Sequence, residues 1–576
     1  MLRNIKEGES MKFKDYVYTR PDMGEMKPAF EELLHKFSQA ASLSEQDAAM
    51  VKINAMRGEF ESMSQIVYIR HTVDTTDSYY KQEQTYFDEN MPIYQGLVSQ
   101  FYQALLVSQY RSELEEKWGK QLFTIAELTL KTFKPEIIAD LQLENKLVSK
   151  YTKLIASAKI MFEGEERNLP GLGPFQQSKD RAMRKRANED KYAFFAEHEA
   201  ALDDIYDKLV KVRTKIAKTL GFFNFVELGY ARMLRSDYQA DMVANFRNQV
   251  AEHIVPAASK LRERQRRRLK LDNLMYYDEK LSFLTGNAVP QGDPDWILAQ
   301  GQNMYRELSP ETDEFINYMT DRELLDLVSH KGKASGGYCT YISKYQSPFI
   351  FSNFNGTSGD VDVLTHEAGH AFQVYSSRDY ALPEYQFPTN EACEIHSMSM
   401  EFFAWPWMDL FFLAGADKYR FTHLSEALLF IPYGVTVDEF QHYVYTHPEA
   451  TPEERKNAWR EIERKYLPHR QYGDNEYLER GGYWHQQGHI FRTPFYYIDY
   501  TLAQLCAFQF WKKSRENRDK AWQGYLRLCQ AGGSKSFLEL VQFANLMSPF
   551  ETGSVESVIG AIEQWLNEVD DTSCDS

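Results

Sequence analysis

Apolar residues recur at three-and-four spacing through most of the first 270 positions, as in F-E-E-L-L-H-K-F (30–37) and L-V-S-Q-F-Y-Q-A-L-L-V (97–107). That period lines one helical face with apolar side chains, so the region is read as antiparallel helices. A glycine- and proline-punctuated stretch, G-E-E-R-N-L-P-G-L-G-P-F (164–175), interrupts the pattern. Helical spacing then resumes through K-Y-A-F-F-A-E-H-E-A and L-D-D-I-Y-D-K-L-V-K-V-R to about Lys270. Between residues 330 and 355 the character changes to β-branched and aromatic residues with Gly and Pro between them, which predicts short strands and the only convincing sheet. Beyond Pro383 and Pro388, Thr389-Asn390 offers an N-cap for a further helix. The pattern predicts a mainly α-helical chain with one small sheet, divided as an N-terminal helical lobe (1–175), a helical segment (176–330) and a region from 331 to 576 that begins with the strands.

Directly after the predicted strands stands V-D-V-L-T-H-E-A-G-H-A-F-Q-V (361–374). His366 and His370 are four residues apart, so on a helix they project from one face a turn apart, with Glu367 one residue round from the first. This is the H-E-x-x-H arrangement, in which two imidazoles share a zinc ion and a carboxylate takes a proton from water. Chance would supply about 0.05 such matches in a chain of this composition. Catalytic zinc needs a third protein donor and one open position. In the next helical stretch Glu391, Glu394, Met398 and Glu401 share a face; Glu394, 28 residues after His366, is chosen as that donor. Glu401, two turns on, is placed to support a ligand histidine through its other ring nitrogen, with a plain helix carboxylate as the alternative for it and for Glu391. His396 is read as structural.

HEAGH (366–370) followed by E-I-H-S-M-S-M-E (394–401) resembles the thimet oligopeptidase and oligoendopeptidase F group of zinc metallopeptidases. That fingerprint picks Glu394 over Glu391, and Met398, where thermolysin-like enzymes carry an Asp, argues against that branch. F-E-G-E-E-R-N-L-P and G-F-F-N-F-V-E-L-G-Y are also similar to oligoendopeptidase F sequences. The resemblance implies a large helical metallopeptidase with lobes around a deep substrate channel, residues 176–330 forming channel wall and residues 331–576 the catalytic zinc-binding region. It implies one zinc ion per chain and short unfolded peptides as substrates, cut at internal bonds.

The resemblance also assigns roles that spacing leaves open. Gly336 and Gly337 lack side chains and suit either a plain turn or close approach of a substrate backbone; the family likeness favours substrate contact, with Tyr338 beside them. In G-G-Y-W-H-Q-Q-G-H-I-F-R-T-P-F-Y-Y-I-D-Y (481–500) aromatic density alone suggests core. The family uses a histidine and tyrosines here as neutral donors to the developing oxyanion. By position these are His489 and Tyr500, with Tyr497 second and His485 and Tyr496 as alternatives. Tyr496 is also a candidate for substrate contact. A metallocarboxypeptidase or dipeptidyl carboxypeptidase on the same zinc site, a non-catalytic peptide-binding protein, and a helical scaffold are the rival readings.

Composition narrows the setting. A formal charge of −17 disfavours nucleic acid as the main partner. The basic runs R-A-M-R-K-R (181–186) and R-E-R-Q-R-R-R-L-K (262–270) lie beside acidic residues and are read as solvated helix faces. Five scattered cysteines without C-x-x-C pairs point to reduced thiols. Met1–Ser10 has no apolar core for a secretory signal, and the most apolar run, Phe402 to Ala416, carries Pro406 and Asp409 and is too short to span a bilayer. A cytoplasmic protein with no membrane partner is expected; the oligomeric state is left open.

Overall fold

The computed structural model describes residues 11–571; the Met1–Ser10 segment, discussed above for its lack of a signal, lies outside them. Helices dominate, and no described helix is long and apolar enough to cross a membrane. Contacts divide the chain into two compact units, each assembled from three separated segments.

The first unit comprises the chain up to Leu130, Val289–Leu413 and Lys513–Leu546. Its helices Met23–Ser38, Leu43–Val73 and Ser78–Leu106 begin at Asp22, Ser42 and Asp77, each of which accepts a backbone N–H from the first turn. They pack through Phe30, Phe37, Ile53, Leu97 and Phe101. Leu382 and Tyr385, from a distant loop, complete that core. The same loop supplies Glu384, which accepts from Arg57 Nη2 at 2.6 Å and from the Tyr102 hydroxyl at 2.6 Å. The N-terminal helices therefore anchor the very segment that joins the two helices of the candidate centre.

The sheet lies in this unit too. Its central strand, Ser347–Phe354, is buried almost throughout. It pairs parallel with Leu325–Val328, Leu325 opposite Ile350, and antiparallel with Tyr338–Ile342, Tyr338 opposite Phe351. After Phe354 the chain turns into a helix, Gly359–Ser376, and the turn is held by Asp360, whose carboxylate accepts from the N–H groups of Asn355 and Gly356 at 2.8 and 2.7 Å. The strand end and the helix start are thus tied through one side chain.

The second unit comprises Lys131–Ala288, Ala414–Lys512 and the chain from Met547. It holds a second, two-stranded sheet, Ile160–Phe162 against Glu165–Arg167, where sequence reading expected the end of the helical pattern and the punctuated stretch from 164, with no sheet besides the one at 330–355. The turn residues Glu163 and Gly164 both adopt positive φ, 52° and 80°, which matches the right-handed twist of the flanking strands. Three-residue strands are too short to show a period, which is why this hairpin escaped notice.

The basic runs are only in part the solvated faces expected of them: Lys185, Arg186 and Arg267 are exposed, but other members of both runs are drawn into ion pairs. Arg181 and Arg184 both pair with the buried Asp278, at 2.8 and 2.7 Å, and Arg184 is itself buried. Arg264 reaches Asp571 at 2.9 Å, joined there by Arg268. Their partners lie far along the chain, beyond the reach of local charge pattern.

Candidate metal centre

Two helices of the first unit build the centre: Gly359–Ser376, which carries H-E-A-G-H, and Asn390–Phe403. Gly369, within the motif, sets how closely they approach. A Cβ there would stand 2.6 Å from Ser397 Cα and 2.7 Å from the His396 carbonyl oxygen, so only glycine admits this contact. Across it, His366 Nε2 and His370 Nε2 lie 3.3 and 3.5 Å from Glu394 Oε2. The imidazole rings are 5.0 Å apart and nearly perpendicular, and the three donor atoms all lie within 4.8 Å of one another.

This donor set fits zinc. Donors about 2.0–2.1 Å from a tetrahedral ion stand about 3.3 Å apart, the separation seen between the imidazole nitrogens and the carboxylate oxygen. Two nitrogens and one oxygen leave a fourth position for water, the pattern of a catalytic site. Glu401 Oε1 accepts from His366 Nδ1 at 2.7 Å, which fixes a proton on Nδ1 and aims Nε2, the nitrogen that would bind the ion, towards Glu394.

Ser397, three residues after Glu394 on the same helix, donates its hydroxyl to Glu394 Oε2 at 2.9 Å, steering the oxygen that faces both rings. Sequence reading missed this serine. The i, i+3 spacing was visible, but serine in a helix commonly bonds to the preceding turn's backbone, so spacing alone did not single it out. Glu391, buried on the same helix, is not among the three donors. His396 is fully buried, and burial pushes its imidazole down to about 4, so it stays neutral as a structural residue.

Electrostatics in the metal-free centre are strongly polarised. Burial alone would raise Glu394, but the His370 and His366 rings overcome it and hold the carboxyl well below its usual range. Burial opposes charge on His366, yet Glu394 and Glu401 raise it well above the usual imidazole value. Glu367 behaves differently: burial raises its pKa, and the two imidazoles pull against this without cancelling it. Its Oε1 lies 3.5 Å from where a Gly337 Cβ would be, so Gly337 keeps open the space beside that carboxylate. Gly336, at φ +100°, has open space where a side chain would project. Tyr338 stacks on Phe351 at 4.8 Å, and its hydroxyl is shared with Thr72 at 2.6 Å.

In the second unit His489, Tyr496, Tyr497 and Tyr500 form one aromatic cluster. The His489 ring lies 5.8, 5.0 and 5.9 Å from those of Tyr496, Tyr497 and Tyr500. The Tyr433 hydroxyl donates to Gln487 Oε1 at 2.7 Å, so the Gln487 amide turns its Nε2 to His489 Nδ1 at 2.8 Å. With Nδ1 accepting, the neutral ring carries its proton on Nε2. His485 is excluded as the donor. It is fully buried, and its nitrogens are taken by the Tyr477 hydroxyl at 2.8 Å and Asp203 at 3.0 Å.

Residues 13–133 match the peptidase M3 N-terminal domain, and residues 311–558 match peptidase family M3. The fold is similar to a structure of Pz peptidase A with an inhibitor, at 64% identity and a TM-score of 0.93, over 97% of this chain and all of that one. It is also similar to a Bacillus anthracis protein described as oligoendopeptidase F, at 60% identity and a TM-score of 0.89, over 98% of this chain and all of that one. An oligoendopeptidase F homolog of Borreliella burgdorferi is 22% identical over 455 residues, 74% of each chain.

Proposed function

This chain belongs to peptidase family M3 and is a zinc-dependent oligoendopeptidase, and we propose that His366, His370 and Glu394 hold one zinc ion while Glu367 is the general base that cleaves internal bonds of short unfolded peptides. The observation that carries this reading is the convergence of two imidazoles and a carboxylate within 4.8 Å, with a buried second carboxylate beside them. When bound, zinc supplies Lewis acidity to water and to the scissile carbonyl.

The chain's own residues do the rest. Glu367 Oε1 accepts a proton from the attacking water and returns it to the departing amide nitrogen. Burial that raises its pKa suits a group that must first take and then give a proton near neutrality. Glu401 keeps His366 in the tautomer that offers Nε2, and Ser397 orients Glu394. His489 Nε2–H and the Tyr500 hydroxyl, with Tyr497 second, donate to the carbonyl oxygen as it gains negative charge. Their support is the family resemblance and the hydrogen-bond chain from Tyr433 through Gln487 that gives His489 its donor. Gly336, Gly337, Tyr338 and Tyr496 contact the peptide. The scattered cysteines, without C-x-x-C pairs, suit a reducing cytoplasm.

The test is incubation with end-blocked peptides of graded length, with and without chelator, and location of the cut bonds by mass. Internal cuts in short peptides, abolished by chelation and restored by zinc, are expected. Glu367→Gln should keep its zinc and lose about 10²–10⁴-fold in turnover. Full activity in that variant, or release of C-terminal dipeptides alone from unblocked peptides, would replace this reading.

A further inference from the structure

The second unit contains a cavity of about 370 Å³ that no step above uses. Phe430 and Tyr433 form part of its wall and also pack against the cluster assigned to the oxyanion: Phe430 lies 5.6 Å from Tyr497 and 6.4 Å from Tyr500, and Tyr433 lies 5.8 Å from Tyr497. A peptide whose scissile carbonyl meets Tyr500 therefore has this cavity as a neighbour for its more distant residues.

The cavity has aromatic and aliphatic walls and is rich in cations, most of them already engaged. Arg470 pairs with Glu279 at 2.7 Å, Arg262 stands 3.6 Å from the same carboxylate, and Arg268 joins Asp571. Lys280 differs. Its ammonium meets no carboxylate in an ion pair among the described residues and donates only to Gln176 Oε1, at 2.8 Å. Lys191, near enough for the two charges to repel, likewise donates to a glutamine, Gln486 Oε1 at 2.6 Å, and lies over the Tyr192 ring. Glu426 shares the cavity and tempers the positive potential without touching Lys280.

A second observation points the same way. The hydroxyls of Thr422 and Ser425 line this cavity, are more than nine-tenths buried, and have no hydrogen-bond partner in the protein; Arg262 Nε is buried and unpartnered as well. Buried polar groups are ordinarily satisfied, so donors left open around a cavity mark a place where a polar ligand belongs. An ammonium, two hydroxyls and a guanidinium N–H all donate, which is the complement of a carboxylate, an acceptor-only group.

We propose that this cavity is a specificity subsite in which Lys280, with Thr422 and Ser425, binds a carboxylate of the peptide substrate. The proposal rests on the peptidase reading and adds a preference to it. Two sources share that chemistry, the C-terminal carboxylate of a short peptide and an acidic side chain. The first would also make the distance from bond to chain end a determinant of which bond is cut.

Two pairs of substrates separate them: a peptide with a free C-terminus against its carboxamide, and an end-blocked peptide bearing Glu against the same peptide bearing Gln. Wild type should favour the carboxylate member of one pair by about tenfold or more in kcat/KM, the scale of a charge-assisted hydrogen bond. Lys280→Gln should remove that preference while leaving the amide member within about twofold, and Lys280→Glu should invert it. Lys280→Arg should retain it, which controls for damage to the fold. The pair that responds identifies the source. Absence of any preference in wild type, or equal loss on both members in Lys280→Gln, overturns the proposal. Failure of wild type to cleave any of the four in a chelator-sensitive way would instead overturn the peptidase assignment.

Discussion

Gly369 lies so close to Ser397 that a single methyl group on it would fall 2.6 Å from the Ser397 Cα. The atoms in the way are backbone and the Met400 Cβ, which cannot swing aside as a flexible side-chain tip would. Gly369→Ala should therefore separate the two helices that carry His366, His370 and Glu394, at about 1–3 kcal/mol for the overpacking. Zinc retention should suffer more than folding, because a shift of a few tenths of an ångström already spoils the donor separations. Thermal unfolding with and without zinc checks this: the stabilisation that zinc confers should shrink in the variant.

Glu401 acts on the centre through His366. Glu401→Gln keeps the shape but replaces a charged acceptor by a neutral one, so zinc affinity should fall about 10–100-fold. Titration against a competing chelator measures it, and unchanged affinity would show that the 2.7 Å contact does not govern the imidazole.

Glu384 sits at the junction of the N-terminal helices and the segment between the ligand helices, paired with Arg57, both almost fully buried. Burial alone would raise its pKa, and Arg57 pulls it below the usual carboxyl range. Glu384→Ala leaves an uncompensated guanidinium and should cost about 3–5 kcal/mol in chemical denaturation. Replacing both partners with apolar residues of similar volume should cost much less.

His469 gives a pH prediction. It is buried among Glu279, Arg262 and Arg470, and burial, reinforced by the two guanidinium groups, pushes its imidazole down to about 3 against Glu279's opposing pull. Between pH 6.5 and 3 the unfolded chain binds a proton that the folded chain refuses, so stability falls as the pH drops through 6.5. The loss should reach about 1–2 kcal/mol by pH 5. His469→Asn should remove this component, seen as a smaller fall in denaturation midpoint from pH 7 to pH 5 than in wild type.

Much of this protein is legible one residue at a time. The three-and-four apolar period declares the helices, and the four-residue separation of His366 and His370 declares a shared face, because helix geometry depends only on local spacing. The neighbouring carboxylate at Glu367 and the helix bearing Glu394 and Glu401 follow by the same reasoning. Local spacing says nothing about what meets across space. It did not reveal that Gly369 meets Ser397, that Arg57 meets Glu384 327 residues away, or that Arg184 is buried on Asp278. Nor did it reveal that His485 is consumed by Tyr477 and Asp203, or that the Gln487 amide meets His489 at Nδ1. Chemistry of residue types is carried by the chain itself. Which of those residues end up within about 3 Å of each other depends on how segments hundreds of positions apart pack, and only the folded structure decides that.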